Sequence, residues 1–225
     1  MIVVKKINRK IINALAAALK RRAVIVYPTD TAYALGCDAT NAKAVAMIFR
    51  IKGRPKTKGL PIIVADKKMA EKYFFLSPNI QALISEYWPG PLSIVFKARK
   101  TIVKAALEQG TAAVRVPASE IARKISKALG RPLIATSANL SGAPACYSAR
   151  AFLRQVSRTL PTLPFQGREK KPYPLLKRGG RGSSGFYFPD LILDTGALAR
   201  RRPSTIVRFD KKGKMRILRR GTVKI

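Results

Sequence analysis

Three short polar clusters hold the side chains of this sequence that could do chemistry together. They read Thr-Asp-Thr at residues 29–31, Lys-Gly-Arg at residues 52–54 and Ser-Ala-Asn at residues 137–139. Cations that converge on one point stabilise phosphate oxygens, and small hydroxyls and amides orient an acyl group or a small polar ligand. These residue types therefore suit a nucleotide site that works by positioning and by positive charge.

The composition argues against several other kinds of active site. Histidine is absent, which removes the commonest general base and the commonest zinc ligand. The 11 acidic residues are scattered along the chain, so a carboxylate metal cage is not expected. Cys37 and Cys146 have neither metal nor redox spacing and are predicted to be ordinary, partly buried thiols in a reducing compartment. The sequence contains no Walker motif, which excludes a P-loop protein.

Each candidate residue also has a purely structural explanation. Lys52 and Arg54 could cap the C-terminus of a preceding helix, where positive charge is favourable. The Thr, Asp, Ser and Asn side chains could serve turns by bonding their own backbone. Arg115 stands between two valines, where a guanidinium is costly unless an anion pairs with it. A ligand carboxylate, a phosphate or a structural aspartate would meet that requirement.

Alternating strand and helix patterns predict a single α/β domain over residues 1–225. Short apolar runs predict strands at residues 23–27, 61–65, 92–97, 112–116, 132–136, 191–193, 205–209 and 215–218. Apolar residues at helical spacing predict helices at residues 11–19, 42–51, 67–74, 78–87, 119–129 and 148–157. A short turn joins the last two strands, so we expect a twisted, mixed, open β-sheet with flanking helices. The first and third polar clusters follow strands, where open α/β sheets bind ligands.

The formal net charge of +34 predicts a polyanionic partner such as RNA, with a solvated basic surface as the alternative. Residues 161–189 are rich in proline, glycine and basic residues, which predicts a basic surface loop. This loop would either contact RNA backbone or be an insertion without a role. No apolar run is long enough for a membrane helix or a secretory signal. A cytoplasmic protein without membrane contact is therefore expected.

Seven motifs, taken in their order along the chain, resemble the threonylcarbamoyl-AMP synthase family, which is also called the YrdC-like family, in its single-domain form. They are Tyr-Pro-Thr-Asp-Thr-Ala-Tyr at residues 27–33, Lys-Gly-Arg-Pro at 52–55, Trp-Pro-Gly-Pro-Leu at 88–92, Val-Arg-Val-Pro at 114–117, Ala-Thr-Ser-Ala-Asn-Leu-Ser-Gly at 135–142, Pro-Ser-Thr-Ile-Val at 203–207 and Leu-Arg-Arg-Gly at 218–221. Each motif alone is weak, whereas the ordered set is specific. The resemblance covers about residues 8–160 and 189–222.

The resemblance implies a reaction that joins L-threonine, bicarbonate and ATP into threonylcarbamoyl-AMP and pyrophosphate. The product would feed the N6-threonylcarbamoylation of adenosine 37 in tRNA, so tRNA or the tRNA-modification machinery is the implied partner. Mg²⁺ would arrive on the substrate phosphates rather than in a metal site of the protein. The implied fold is one α/β domain with a positively charged concavity.

The matching motifs also imply roles for individual residues. Lys52 and Arg54 would be catalytic and would bind ATP. The further residues implied for ATP are Thr111, Asn139 and Arg219. The residues implied for threonine are Thr29, Arg115, Ser137 and Ser204. The chain departs from the family pattern at Ala34 in place of glycine and at Ala65 in place of a histidine of some members, and Ser148 is only a loose match.

Two other readings stay open at this level. The first is an RNA-binding module without catalysis, suggested by the charge and the basic loop. The second is a related carbamoyl-transfer enzyme, because similar domains occur inside larger hydrogenase-maturation proteins. Dependence of pyrophosphate release on threonine separates both from the synthase.

Overall fold

Two twisted β-sheets form the frame of the molecule. The computed structural model describes residues 2–5, 7–55, 57–157, 187–210 and 212–225. The strands are β1 (Ile2–Val4), β2 (Ile25–Pro28), β3 (Tyr33–Gly36), β4 (Ile62–Ile63), β5 (Phe74–Phe75), β6 (Leu92–Ala98), β7 (Thr111–Arg115), β8 (Leu133–Ile134), β9 (Thr136–Ser137), β10 (Leu191–Leu193), β11 (Thr205–Phe209) and β12 (Met215–Arg219). The helices are α1 (Arg9–Lys20), α2 (Ala42–Lys52), α3 (Lys67–Tyr73), α4 (Gln81–Tyr87), α5 (Glu120–Leu129) and α6 (Ala149–Ser157).

The strand order confirms the predicted mixed α/β class. One sheet runs β1-β10-β2-β3-β9, and the other runs β12-β11-β6-β7-β4-β8, with β5 added on β6. Pairs β1–β10, β10–β2, β11–β6 and β4–β7 are parallel, and the other pairs are antiparallel. The strand predicted over residues 132–136 is interrupted at Ala135, so that β8 joins one sheet and β9 joins the other.

Helix ends follow the local chemistry of the sequence. Asn41 caps α2, because its side chain accepts a hydrogen bond from Ala44 N at 3.1 Å. The same helix ends at Gly53, whose φ of +59° is costly for any residue with a Cβ. The chain therefore turns sharply between Lys52 and Arg54. The two cations leave the helix in different directions, which their contacts below confirm.

The core consists of two clusters of buried apolar side chains. The smaller cluster lies under α1 and α5 and includes Leu19, Ile25, Ile125 and Leu193. The larger cluster fills the space among α2, α6 and the remaining strands. The apolar faces of α1 and α5 thus bury the first cluster, and those of α2 and α6 bury the second.

Two sequence predictions concern other parts of the chain. The predicted basic loop at residues 161–189 lies outside the described residues except for its last three positions. Within the described part of the chain, no helix has the length and apolar character that a membrane crossing requires.

Candidate active site

A cavity of about 940 Å³ lies where the two sheets meet. The β2–β3 turn, the segment after α2 and strands β6, β7, β11 and β12 contribute its walls. Seven of the nine predicted site residues line it: Thr29, Arg54, Thr111, Arg115, Ser137, Ser204 and Arg219. The other two, Lys52 and Asn139, lie directly behind Ser137. Distant stretches of sequence therefore converge on one hollow.

Lys52 is fully engaged by the Ser-Ala-Asn segment. Its side chain is buried, and Nζ donates to the carbonyl oxygens of Ser137 and Asn139 at 2.6 and 2.9 Å and to Oδ1 of Asn139 at 2.8 Å. Ser137 Oγ donates to the same Oδ1 at 2.6 Å, and Asn139 Nδ2 donates to the carbonyl of Ala143. Burial, and then the nearby Arg54, lower the pKa of Lys52 to about 8. Lys52 thus holds Ser137 and Asn139 in place rather than facing the cavity.

Arg54 has the opposite arrangement and faces the cavity. One guanidinium nitrogen, Nη2, donates to the carbonyl of Gly59 at 3.0 Å, while its buried Nε has no hydrogen-bond partner. Burial lowers the pKa of this guanidinium, and Glu108 partly offsets that effect. A buried donor without a partner is unfavourable until a ligand accepts from it. Neither the Lys52 nor the Arg54 side chain therefore caps the C-terminus of α2, which was the structural alternative for these two residues.

Arg115 pairs with Asp30. The anion that the buried guanidinium meets within the protein is therefore a structural aspartate. Nη1 donates to both carboxylate oxygens of Asp30, at 2.8 and 2.7 Å, and to the carbonyl of Gly90 at 3.3 Å. Nη2 has only a long contact of 3.4 Å to Thr31 Oγ1. Both side chains of the pair are 8% exposed. One edge of the guanidinium is therefore fixed, and the edge with Nη2 stays available to a ligand carboxylate.

Arg219 and Ser204 form a second cationic contact on the far wall. The guanidinium donates to the Ser204 carbonyl through Nε at 3.0 Å and through Nη2 at 2.8 Å, and Nη2 also reaches the Ser204 hydroxyl at 3.0 Å. Burial, and then Arg115, lower the pKa of Arg219. Gly221 makes this contact possible, because a Cβ there would lie 2.1 Å from the carbonyl oxygen of Pro203.

The threonine hydroxyls have local roles as well as cavity positions. Thr29 Oγ1 donates to the carbonyl of Ala32 at 2.6 Å, and Thr111 Oγ1 donates to the carbonyl of Glu108 at 2.8 Å. The turn explanation given for Thr29 is thus correct in part. Thr29 Oγ1 also accepts from the backbone N–H groups of Thr31 and Ala32 at 3.3 Å, whereas the lone pairs of Thr111 Oγ1 can accept from a ligand.

The three departures from the family pattern differ in their relation to the cavity. Ala34 lines it, on β3 opposite Ser137. Ala65 is buried and does not line it. Ser148 caps α6, because its Oγ accepts from Ala151 N at 3.1 Å. Ser148 therefore has a structural role at the start of α6.

Sequence reasoning missed several residues of the cavity wall. Among the described residues, Lys58, Arg201 and Arg208 bring the cationic side chains of the lining to six, against the single carboxylate of Glu108. Arg208 could have been recognised, because it alternates with Ile206 and Ser204 along β11 and so shares their face. A cavity with this charge balance favours a polyanionic ligand.

The family of this chain follows from its similarity to known proteins. The Sua5/YciO/YrdC family model, described as "Telomere recombination", matches residues 17–169. The threonylcarbamoyl-AMP synthase of Neisseria gonorrhoeae is 33% identical over 166 residues, which are 72% of this chain and 88% of the relative. The chain belongs to the Sua5/YciO/YrdC family.

Two solved structures of this family place the fold. The structure of P. abyssi Sua5 complexed with L-threonine superposes with a TM-score of 0.76 at 28% identity. The match covers 98% of this chain and 57% of that Sua5 chain, so this chain spans little more than half of its length. E. coli YciO superposes with a TM-score of 0.73 at 25% identity, over 99% of this chain and 95% of YciO. The Sua5/YciO/YrdC fold thus accounts for both sheets.

Proposed function

We propose that this protein is a threonylcarbamoyl-AMP synthase. The convergence of the residues implied for ATP and for threonine on one cationic cavity carries the proposal. The threonine amine attacks the carbon of bicarbonate, and water leaves to give the carbamate. A carbamate oxygen then attacks the α-phosphorus of ATP, the bond to the β-phosphate breaks, and pyrophosphate leaves.

Threonine binds on the side of the cavity that Arg115 forms. The Nη2 edge of Arg115 donates to the amino acid carboxylate, while Asp30 holds the opposite edge. Thr29, Ser137 and Ser204 supply hydroxyls within the same wall. Such a set fixes a small polar amino acid without any group that must change its charge during the reaction.

ATP binds along the cations that line the rest of the cavity. Arg54 offers a donor with no partner in the described protein, and Arg219 and Thr111 extend the wall. Lys52 acts through its hold on Ser137 and Asn139. These groups stabilise the charge that develops as pyrophosphate leaves.

Mg²⁺ enters this scheme as part of the substrate. No group of three acidic, histidine or cysteine side chains in the described residues could hold a metal ion. Of the described residues that line the cavity, only Glu108 carries a carboxylate. A magnesium ion would therefore take most of its ligands from phosphates and water, as Mg²⁺ commonly does, and would neutralise phosphate charge there.

The product places the protein in tRNA modification in the cytoplasm. A mixed anhydride of a carbamate and AMP reacts readily with water, so an acceptor enzyme that modifies tRNA adenosine must consume it promptly. The net charge of +34 supports close approach to tRNA during this step.

Pyrophosphate release tests the proposed function. We expect release only when ATP, bicarbonate and L-threonine are present together, with one threonylcarbamoyl-AMP formed per pyrophosphate, as followed by mass spectrometry. Release without threonine, or with carbamoyl phosphate in place of bicarbonate and threonine, would favour a carbamoyl-transfer enzyme. RNA binding without any release would favour an RNA-binding module.

Variants of the cavity wall test the assignment of the site. Arg54→Ala and Ser137→Ala should each lower turnover by about a hundredfold, as the loss of a contact to developing charge commonly does. The matched control is Arg50→Ala, because Arg50 lies on α2, just before Arg54 in the chain, and contacts the ring of Tyr187 rather than the cavity. Near-normal turnover of both cavity variants would show that the site is misplaced.

A further inference from the structure

The six cations of the cavity differ in how far the protein already pairs them. Arg115 is paired with Asp30, and Arg219 is bound to Ser204. Arg54 retains one contact, to Gly59. Among the described residues, the side chain of Arg208 makes no hydrogen bond or ion pair, although its Nε is buried. Among the described residues of the wall, Arg208 is therefore the cation that combines a buried, unpartnered nitrogen with no side-chain hydrogen bond or ion pair.

The position of Arg208 on β11 directs it toward the ligand space. It shares a sheet face with Ile206 and Ser204, and all three line the cavity. Its parallel neighbour is Val95 on β6, which lines the cavity too and offers no acceptor from its side chain. The buried Nε of Arg208 finds no acceptor on this apolar neighbour. An anion from outside the protein would supply one.

The neighbouring strand increases this requirement. Arg216 on β12 stands directly opposite Arg208 in the antiparallel pair, and like charges in that position destabilise a sheet. The carboxylate nearest to Arg216 is that of Asp210, at 4.0 Å, so little of the charge is neutralised. Arg201, on the segment that leads to β11, adds another cation to the same wall.

We propose that Arg208, assisted by Arg201, forms a phosphate subsite that binds the polyphosphate part of the nucleotide and the pyrophosphate that it releases. This inference rests on the proposed function for the identity of the ligand. The subsite lies on β11, whereas Arg54 follows α2, so cations from two separate elements bind the phosphate chain. Lys52 is occupied by Ser137 and Asn139, which explains why the lining needs further cations.

Titration with inorganic tripolyphosphate in the absence of threonine and bicarbonate tests the subsite without any turnover. Arg208→Gln should weaken tripolyphosphate binding by about tenfold, the typical loss for a charge-assisted contact. Arg216→Gln is the matched control, because it removes the same charge from the facing strand and does not line the cavity. We expect a change of less than about twofold for the control, since its charge is exposed.

Two further measurements make the result specific. L-threonine affinity should be the same in Arg208→Gln and in the unmodified protein, and Arg208→Lys should retain most of the tripolyphosphate affinity. Equal tripolyphosphate binding in Arg208→Gln and Arg216→Gln would overturn the subsite, as would a loss confined to tRNA binding. If Arg208→Gln does not fold, Arg201→Gln carries the test for a loss of tripolyphosphate affinity, and unchanged affinity in that variant would overturn the subsite.

The outcomes for the subsite and for the proposed function are distinguishable. Tripolyphosphate binding that depends on Arg208 in a protein that never forms threonylcarbamoyl-AMP would retain the subsite and refute the synthase. Full synthase activity together with tripolyphosphate binding that does not depend on Arg208 would retain the synthase and refute the subsite.

Discussion

Two buried aspartates, each paired with an arginine, occupy two regions of this molecule with different consequences. Asp30 follows β2 and binds Arg115 at 2.7 Å, and both side chains are 8% exposed. Asp38 follows β3 and binds Arg131 at 2.8 Å, with the arginine 46% exposed and the aspartate fully buried. In sequence terms the two pairs have the same chemistry, and only the fold separates them.

The difference lies in what the arginine can reach. Asp38 also accepts from the backbone N–H and the hydroxyl of Thr40, so its carboxylate organises the chain that leads into α2. Arg131 does not line the cavity, whereas Arg115 does. A buried ion pair is weak evidence for stability by itself, because desolvation offsets the attraction. The pair at the cavity is therefore better explained by the ligand carboxylate that we propose Arg115 binds.

The largest difference between the two pairs is expected when the arginine of each pair is replaced. Arg115→Gln should lower threonine-dependent pyrophosphate release by about a hundredfold, since a charge-assisted carboxylate contact is lost. Arg131→Gln should keep turnover within about twofold, because its guanidinium is partly exposed and distant from the ligand. Steady-state kinetics on samples of equal folded fraction checks both. Equal losses in the two variants would mean that the fold, and not the ligand contact, explains the effect.

An intermediate effect is expected from the aspartates. Asp30→Asn should raise the KM for threonine by about tenfold with little change for ATP, because the freed guanidinium no longer has one fixed orientation. Asp38→Asn should leave both constants unchanged and lower the free energy of unfolding by about 1–3 kcal/mol, as the loss of a buried polar contact commonly does. Urea unfolding together with the two KM values separates these outcomes. A rise in KM for threonine in Asp38→Asn would remove the distinction between the two pairs.

The smallest expected effect concerns the pH dependence of the Lys52 cluster. The pKa of Lys52 is lowered to about 8, so the ammonium that holds Ser137 and Asn139 loses a proton as pH rises through that value. Turnover relative to Lys52→Met, which has no titrating group, should therefore fall a few-fold between pH 7 and pH 9. Deprotonation of the threonine amine is common to both proteins and cancels in the ratio. A ratio that stays constant across this range would mean that the charge of Lys52 is unimportant.

The lowered pKa of Lys52 also predicts a change in stability, which should rise with pH where turnover falls. Above about pH 8, Lys52 stays protonated in the unfolded chain, where its pKa has the ordinary value of 10.5. In the folded protein it is mostly deprotonated. The unfolded state then binds more protons, so the stability of the native protein relative to Lys52→Met should rise with pH in this window. Urea unfolding at pH 7.5 and pH 9.5 measures this difference.

The sequence predicted elements better than contacts. Helices α1, α2 and α5 were predicted to within a few residues, because apolar spacing and capping side chains are local signals. Strand β3 was missed, since its four residues follow a polar turn and carry no alternating pattern. The strand over residues 132–136 was predicted as one element, although its two halves pair with different sheets. Pairing is a long-range property that local patterns do not contain.

Within the site, residue types were predictable and their partners were not. Arg115 required an anion by its apolar surroundings alone, but the choice of Asp30 depends on a contact across 85 positions. Lys52 and Arg54 belong to one motif, and only the turn at Gly53 sends one into the protein and the other to the cavity. Arg208 lay outside every motif, and its unpaired, buried nitrogen is visible only in three dimensions.

A crystal structure with ATP and L-threonine bound tests the central claim most directly. The account predicts the threonine carboxylate on the free edge of Arg115, with Asp30 still on the other edge, and the phosphates beside Arg54 and Arg208 in the same cavity. Threonine bound elsewhere, or phosphates that bypass both Arg54 and Arg208, would contradict it.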